Sequence, residues 1–149
     1  MSSYYGGCVP FSKCTEGSWY ARGHCNMCIT RNEYNPWMRV ELAEAVHVQT
    51  LCALNREDAS DWKRMQYSEI RVGNSTSAGD SNPRCKPDVK DGGCYECDLW
   101  GKYVSIRRWR RWREYFNFPE IGVWTQRNIA TLGTASQQTT LAGSEASKA

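Results

Sequence analysis

The chain has 149 residues and a formal net charge of +3. That length fits one domain with enough chain to bury a core, and so small an excess of positive charge argues against a nucleic-acid-binding module, whose basic face is broad. No apolar run reaches the length of a membrane-spanning helix.

Eight Cys accompany seven Trp and eight Tyr. Cysteine at this density in a small aromatic-rich chain points to an oxidising compartment, extracellular or along the secretory pathway. The first residues, Met1 to Gly7, lack the basic and apolar regions of a secretory leader, which stands against that assignment.

Residues 1–34 are rich in Gly, Ser, Cys and Tyr and read as loops with one short strand. From 37 to 54 the pattern alternates: Met38, Val40 and Leu42 share a face, and Val46, Val48, Thr50, Cys52 and Leu54 continue it. Period two with β-branched residues is a strand signal. Residues 55–63 form a polar loop, and Glu69–Val72 resumes as a strand that ends at the turn residues Gly73, Asn74 and Ser75. Residues 74–93 hold many Gly, Ser, Asn, Asp and Pro and read as a long loop. Leu99–Ile106 is a further strand, and Tyr115–Trp124 is the last, with Pro119 marking an edge or bulge. Short strands without an amphipathic helix indicate an all-β sandwich over residues 1–124. Residues 125–149 lose their aromatics and Cys and read as a low-complexity tail, disordered in isolation.

The polar loop holds Arg56, Asp58 and Lys63 in an R-x-D-x4-K arrangement. Arg offers a rigid fork of donors and Lys a mobile one. An Asp two residues from the Arg can pair with the fork and hold its orientation. Such groups, carried on a loop above a rigid sandwich, suit a polyol ligand; a solvated charged loop is the simpler alternative for the same residues.

Several segments in order resemble the fucose-binding lectin family (F-type lectins, or fucolectins). They are Asn35-Pro36-Trp37-Met38-Arg39-Val40-Glu41-Leu42, the Arg56/Asp58/Lys63 loop, Glu69–Ser75, Asn82–Cys85, Gly101–Ile106 and Tyr115–Val123. The resemblance spans roughly residues 24–124. It implies a discoidin-like β jelly roll that binds L-fucose through one His and two basic residues, often with a structural calcium ion. Arg56 and Lys63 are then the sugar donors, Asp58 the orienting carboxylate and His24 the third member. Glu120 falls at the acidic calcium position, although a hard cation needs six to eight oxygens.

The chain departs from the family pattern at three places. The ligand His would fall at Ile29, the adjacent cysteine pair after R-x-D is replaced by Ala59 and Ser60, and the closing-strand cysteine is Pro119. These departures favour an alternative, a degenerate lectin fold that serves as a structural subunit of a larger assembly. A working single-site lectin is expected to gain avidity through multivalency.

By the same resemblance Cys85 pairs with Cys97, with Cys94 as the competing partner. Cys52, on the strand face of Val46 and Val48, reads as a small buried hydrophobe. Cys25-x-x-Cys28 and Cys94-x-x-Cys97 are alternative zinc ligands, with a span between them much longer than in compact zinc ribbons. No catalytic Ser/His/Asp or Cys/His arrangement stands out; with His24 and His47 the two histidines, acid–base chemistry has few options, and a non-enzymatic module is expected.

Arg107–Arg113 holds five Arg and two Trp. Arg recognises carboxylates and phosphates, and Trp stacks on flat surfaces. Three functional readings follow, anionic glycan or lipid binding, nucleic-acid binding, or docking on an acidic protein partner, and the last is favoured for Trp109, Arg110, Trp112 and Arg113 because Trp and Arg are favoured interface anchors. The alternative is a solvated hairpin whose Arg side chains stack over its own Trp rings.

Overall fold

The computed structural model describes residues 14, 15, 17, 27–57, 63–76 and 81–125. Seven strands build it: β1 (Cys28–Ile29), β2 (Trp37–Leu54), β3 (Ser68–Gly73), β4 (Arg84–Val89), β5 (Gly93–Arg108), β6 (Asn117–Phe118) and β7 (Glu120–Thr125). They form a two-stranded sheet, β1-β6, and a five-stranded sheet ordered β4-β3-β5-β2-β7. Every pairing is antiparallel. The fold is a discoidin-like jelly-roll β-sandwich, as expected. No helix among the described residues is long and apolar enough to cross a membrane.

β2 and β5 are the long central pair. The last part of β5, Tyr103 to Arg108, lies beside β3, and the second half of β2 lies beside β7. The alternation expected along β2 is interrupted twice against β5, between Glu41 and Val46 and between Val48 and Thr50. Against β7, β2 carries one extra residue between Val48 and Thr50. Because side chains alternate with period two, one inserted residue exchanges the faces. Leu51 and Ala53 consequently enter the core, whereas Cys52 lies directly opposite Cys94 and is bonded to it. The reading of Cys52 as a thiol packed on the face of Val48 is thus corrected.

The core joins Met38, Val48 and Leu51 of β2, Ile70 and Val72 of β3, and Val104 and Ile106 of β5 to Phe116, Phe118 and Ile121. Phe116 and Phe118 meet edge to face at 5.5 Å. Pro119 separates β6, which pairs with β1, from β7, which pairs with β2. The single closing strand expected over 115–124 is therefore two strands with different partners, broken at the residue that cannot donate to a ladder.

β4 lies inside the stretch read as a long loop. It is an edge strand, so its row of polar side chains faces solvent and carries no alternation signal. Pro87 sits where the β3–β4 register slips between Ser68 and Ile70, a position that tolerates a missing N–H. β5 begins six residues before the expected Leu99, for a similar reason: its first half alternates exposed polar residues with half-buried ones.

The described residues contain disulfides Cys14–Cys28, Cys52–Cys94 and Cys85–Cys97. Cys85–Cys97 is the expected pair, and Cys94 is engaged elsewhere. Three of the four thiols named for zinc, Cys28, Cys94 and Cys97, are covalently paired and cannot serve as thiolate ligands; Cys25 lies outside the described residues. The tail reading falls, apart from Thr125 of β7, on residues outside the description as well.

Candidate functional site

β2 and β3 are both antiparallel to β5 and so run in the same direction. The connection between them must cross from one end of β5 to the other. Arg56 leaves β2 at the Gly93 end, where Ala53 faces Gly93. Lys63 arrives at the other end, where Ser68 faces Arg108. The described residues therefore leave Arg56 and Lys63 toward opposite ends of β5, and Lys63 does not line the cleft at Arg56. Asp58 and His24 lie outside the described residues.

The Arg56 end is built by local hydrogen bonding. Asn55 Nδ2 donates to Asp91 Oδ1 at 2.7 Å, and Gly92 N donates to the same oxygen. Arg56 N donates to Asn55 Oδ1 at 2.9 Å. Asn55 fits here because its side chain both accepts and donates. A Cβ on Gly92 would come within 2.6 Å of Asn55 N, so only glycine permits this close approach. Leu54, Asn55, Arg56, Glu57, Asp91 and Gly92 line a shallow cleft of about 430 Å³. Arg56, one of the lining residues, is only 3% exposed. Lys63 is exposed, and its carbonyl accepts from Arg108 Nη2 at 3.1 Å.

Ile29, where the resemblance would put a ligand histidine, is buried in β1 opposite Asn117. Glu120 begins β7 opposite Leu54 and is 1% exposed. No group of three or more His, Cys, Asp or Glu capable of holding a metal occurs among the described residues. Those residues alone do not make the oxygen-rich shell that calcium needs.

In the Arg/Trp segment Arg107 and Arg110 stack over Trp109 and Trp112, while Trp109, Arg111, Trp112 and Arg113 are exposed. Arg107 and Arg108 complete β5. Arg108 is 1% exposed. Its Nε donates to Gln66 O at 3.0 Å, its Nη2 to Lys63 O, and its Nη1 forms an ion pair with Glu114 at 2.8 Å. Burial lowers the Arg108 guanidinium from its ordinary value, and the Glu114 charge opposes that shift. This buried arginine ties the turn before β3 to the segment after β5.

Around that anchor the exposed rings converge. Tyr34, Asn35, Tyr67, Trp109, Arg110 and Trp112, with Arg111, line a second and larger cleft of about 730 Å³. Arg110 lies 3.7 Å over the Tyr67 ring and 4.5 Å over Trp112. Arg107 lies 4.1 Å over Trp109. Asn35 Oδ1 accepts from Arg110 N at 3.1 Å, with Asn35 in the left-handed region at φ 47°, which Asn tolerates. Tyr67 also has a positive φ, 61°. For a bulky residue this is a strained backbone, costing about 1–3 kcal/mol, and it is held by Trp109 N donating to Tyr67 O at 3.2 Å.

Trp109 is fixed from below by Glu69. Burial alone would raise the Glu69 carboxyl, but hydrogen bonds from Arg71 and Trp109 and the charges of Arg71 and Arg84 outweigh it and hold it below the ordinary carboxylate range. Trp112 Nε1 donates to Glu114 Oε2 at 3.3 Å. Arg113 stands 5.7 Å over the Tyr34 ring, outside the cleft wall. Tyr34, Asn35 and Tyr67 carried no sequence signal for this cleft beyond the turn-forming Asn35-Pro36 pair; only the tertiary fold brings them beside Trp109.

No protein-family profile and no curated protein sequence matches the chain. Solved structures do. A fucolectin from striped bass (Morone saxatilis) serum superposes with TM-score 0.73 at 26% identity, over 83% of this chain and 43% of that one. The chain therefore spans less than half the length of the striped bass lectin. The lectin domain of lectinolysin, solved with Lewis B antigen, gives 0.72 at 20% identity over 85% of this chain and 90% of that one. A Streptococcus pneumoniae fucose-binding module gives 0.68 at 20% identity, with 85% and 91% covered. The chain shares the fold of fucose-binding lectin (F-type) domains and is similar to them at 26% identity or less.

Proposed function

We propose that the chain is a non-catalytic carbohydrate-binding module that takes a fucose-type sugar at the connection carrying Arg56, Asp58 and Lys63. The observation that carries this reading is the cleft lined by Asn55, Arg56, Asp91 and Gly92, with Asn55 bonded to Asp91, on a fold shared with fucose-binding modules. Arg56 and Lys63 supply donors to the sugar hydroxyls, Asp58 orients the Arg56 fork, and His24 is the third member. Three disulfides among the described residues support an extracellular setting for this activity. A single shallow site of this kind works best when several copies are presented together. Glu120 contributes to a calcium site only if oxygen ligands from outside the described residues join it.

The test is titration calorimetry with L-fucose and fucosylated glycans on wild type and Arg56→Ala. Binding heat in the wild type that weakens at least about tenfold in the variant, a loss of about 1.4 kcal/mol or more, is the expected result. Absence of heat from a folded wild-type protein across the panel overturns the reading and leaves the chain as a lectin fold serving as a structural subunit.

A further inference from the structure

We infer that the cleft between Tyr34, Tyr67, Trp109 and Trp112 is a second ligand site, and that its ligand is an acidic saccharide, a uronate or sulfated sugar. The inference does not rest on fucose binding, since the cleft shares no lining residue with the one at Arg56.

Four large side chains remain exposed here, Tyr34 at 60%, Tyr67 at 53%, Trp109 at 41% and Trp112 at 53%. Scattered exposed aromatics need no explanation, but four converging on one concavity do. They are also held in place. Trp109 is bonded to Glu69, Trp112 to Glu114, and Tyr67 is locked in a left-handed backbone conformation by Trp109. A rigid set of flat faces is what a pyranose ring stacks against, at little entropic cost to the protein.

The charge of the cleft selects the sugar. Arg110 and Arg111 line it and no carboxylate does. The nearest acids are engaged: Glu114 faces Arg108 and Trp112, and Glu69 faces Arg71 and Arg84. Arg110 stands over both the Tyr67 and Trp112 rings, which hold its fork where a carboxylate or a sulfate could meet it. Its Nε is shut off from solvent with no acceptor among the described residues. A small rotation of the guanidinium would turn that donor toward an anion in the cleft.

The size fits a saccharide of a few units. The cavity is about 730 Å³, within the range of small-ligand sites and well short of the surface a folded partner needs. An acidic peptide shares the charge but has no rigid ring to lie on the Trp and Tyr faces.

The experiment is a titration of the full chain, followed by Trp fluorescence and calorimetry. The probes are a heparin-derived tetrasaccharide, a galacturonate trimer, a neutral trisaccharide and hexaglutamate. The variants are Arg110→Ala, Trp112→Ala, Arg111→Ala and Arg56→Ala. We expect an acidic saccharide to bind, more weakly at high salt. Affinity should fall at least about tenfold in both Arg110→Ala and Trp112→Ala and stay unchanged in Arg56→Ala. The tetrasaccharide and the trimer separate sulfate from carboxylate as the preferred group. Failure of both acidic saccharides to bind, or equal binding of hexaglutamate, overturns the inference. So does a loss in Arg111→Ala as large as in Arg110→Ala with Trp112→Ala unaffected, which would mean unspecific charge attraction. Trp112 is half exposed, so its truncation leaves the fold intact and keeps the test interpretable should Arg110→Ala misfold.

Discussion

Arg108 shows how one residue can change its meaning between sequence and structure. It belongs to a basic run that reads as solvated, yet its guanidinium is buried and serves Gln66, Lys63 and Glu114 at once. Arg108→Ala would leave two carbonyls and a carboxylate without their donor. We expect a loss of about 3 kcal/mol in chemical denaturation, against less than about 0.5 kcal/mol for Arg111→Ala at the exposed neighbour. Tyr67 carries strain of the opposite sense. Glycine accepts its φ of 61° freely, so Tyr67→Gly should raise stability by about 1 kcal/mol while removing a wall of the aromatic cleft. A thermal melt beside a saccharide titration checks both halves. Glu69 sets a pH dependence. Its folded value is depressed below the ordinary 4.5, so its contribution is complete above that value and is lost as pH falls through the depressed one. Acid titration of the wild type should therefore show stability declining below about pH 4.5. Glu69→Gln should be less stable at neutral pH and approach the wild type as acid is added. A gap between the two that stays constant down to low pH would exclude Glu69 as the source.

The elements differ in how plainly the sequence announces them. β2 and the second half of β5 were legible because they alternate apolar and polar residues over many positions. β4 and the first half of β5 were not, because an edge strand with a solvent-facing side buries too little to impose a pattern. The bulge after Val48 was hidden too, since an inserted residue leaves both of its flanks looking like ordinary strand. Close packing of β3 on β5 depends on Gly101: a Cβ there would stand 2.5 Å from the Gly73 Cα. Gly101→Ala should force the strands apart and cost about 1–3 kcal/mol, measurable as a lowered midpoint in urea with local loss of amide protection in β3. A variant as stable as wild type would mean that the two strands can separate freely at this point.

For the whole molecule, the disulfides join what the ladders already place together. Cys85–Cys97 staples the edge strand β4 to β5, and Cys52–Cys94 ties β2 to β5. Closing a loop of this size contributes about 3 kcal/mol. Cys85→Ser should lower the melting temperature by roughly 10 °C, at about 2–8 °C per kcal/mol, with β4 opening first, and full reduction should lower it further. The candidate sites divide along the same line. The Arg56 connection was legible because R-x-D-x4-K lies within one local segment. The aromatic cleft was half legible: Trp109, Arg110 and Trp112 are contiguous, while Tyr34 and Tyr67 come from two other connections. The sequence by itself determined the all-β sandwich class, because periodicity and turn residues are written over short spans, and the jelly roll was implied only by the resemblance of several segments in order. The tertiary structure alone decided the strand phase of Cys52, the burial of Arg108 and the assembly of four rings into one cleft. Those depend on which residues 30 to 80 positions apart become neighbours, and short-range pattern holds no information about that.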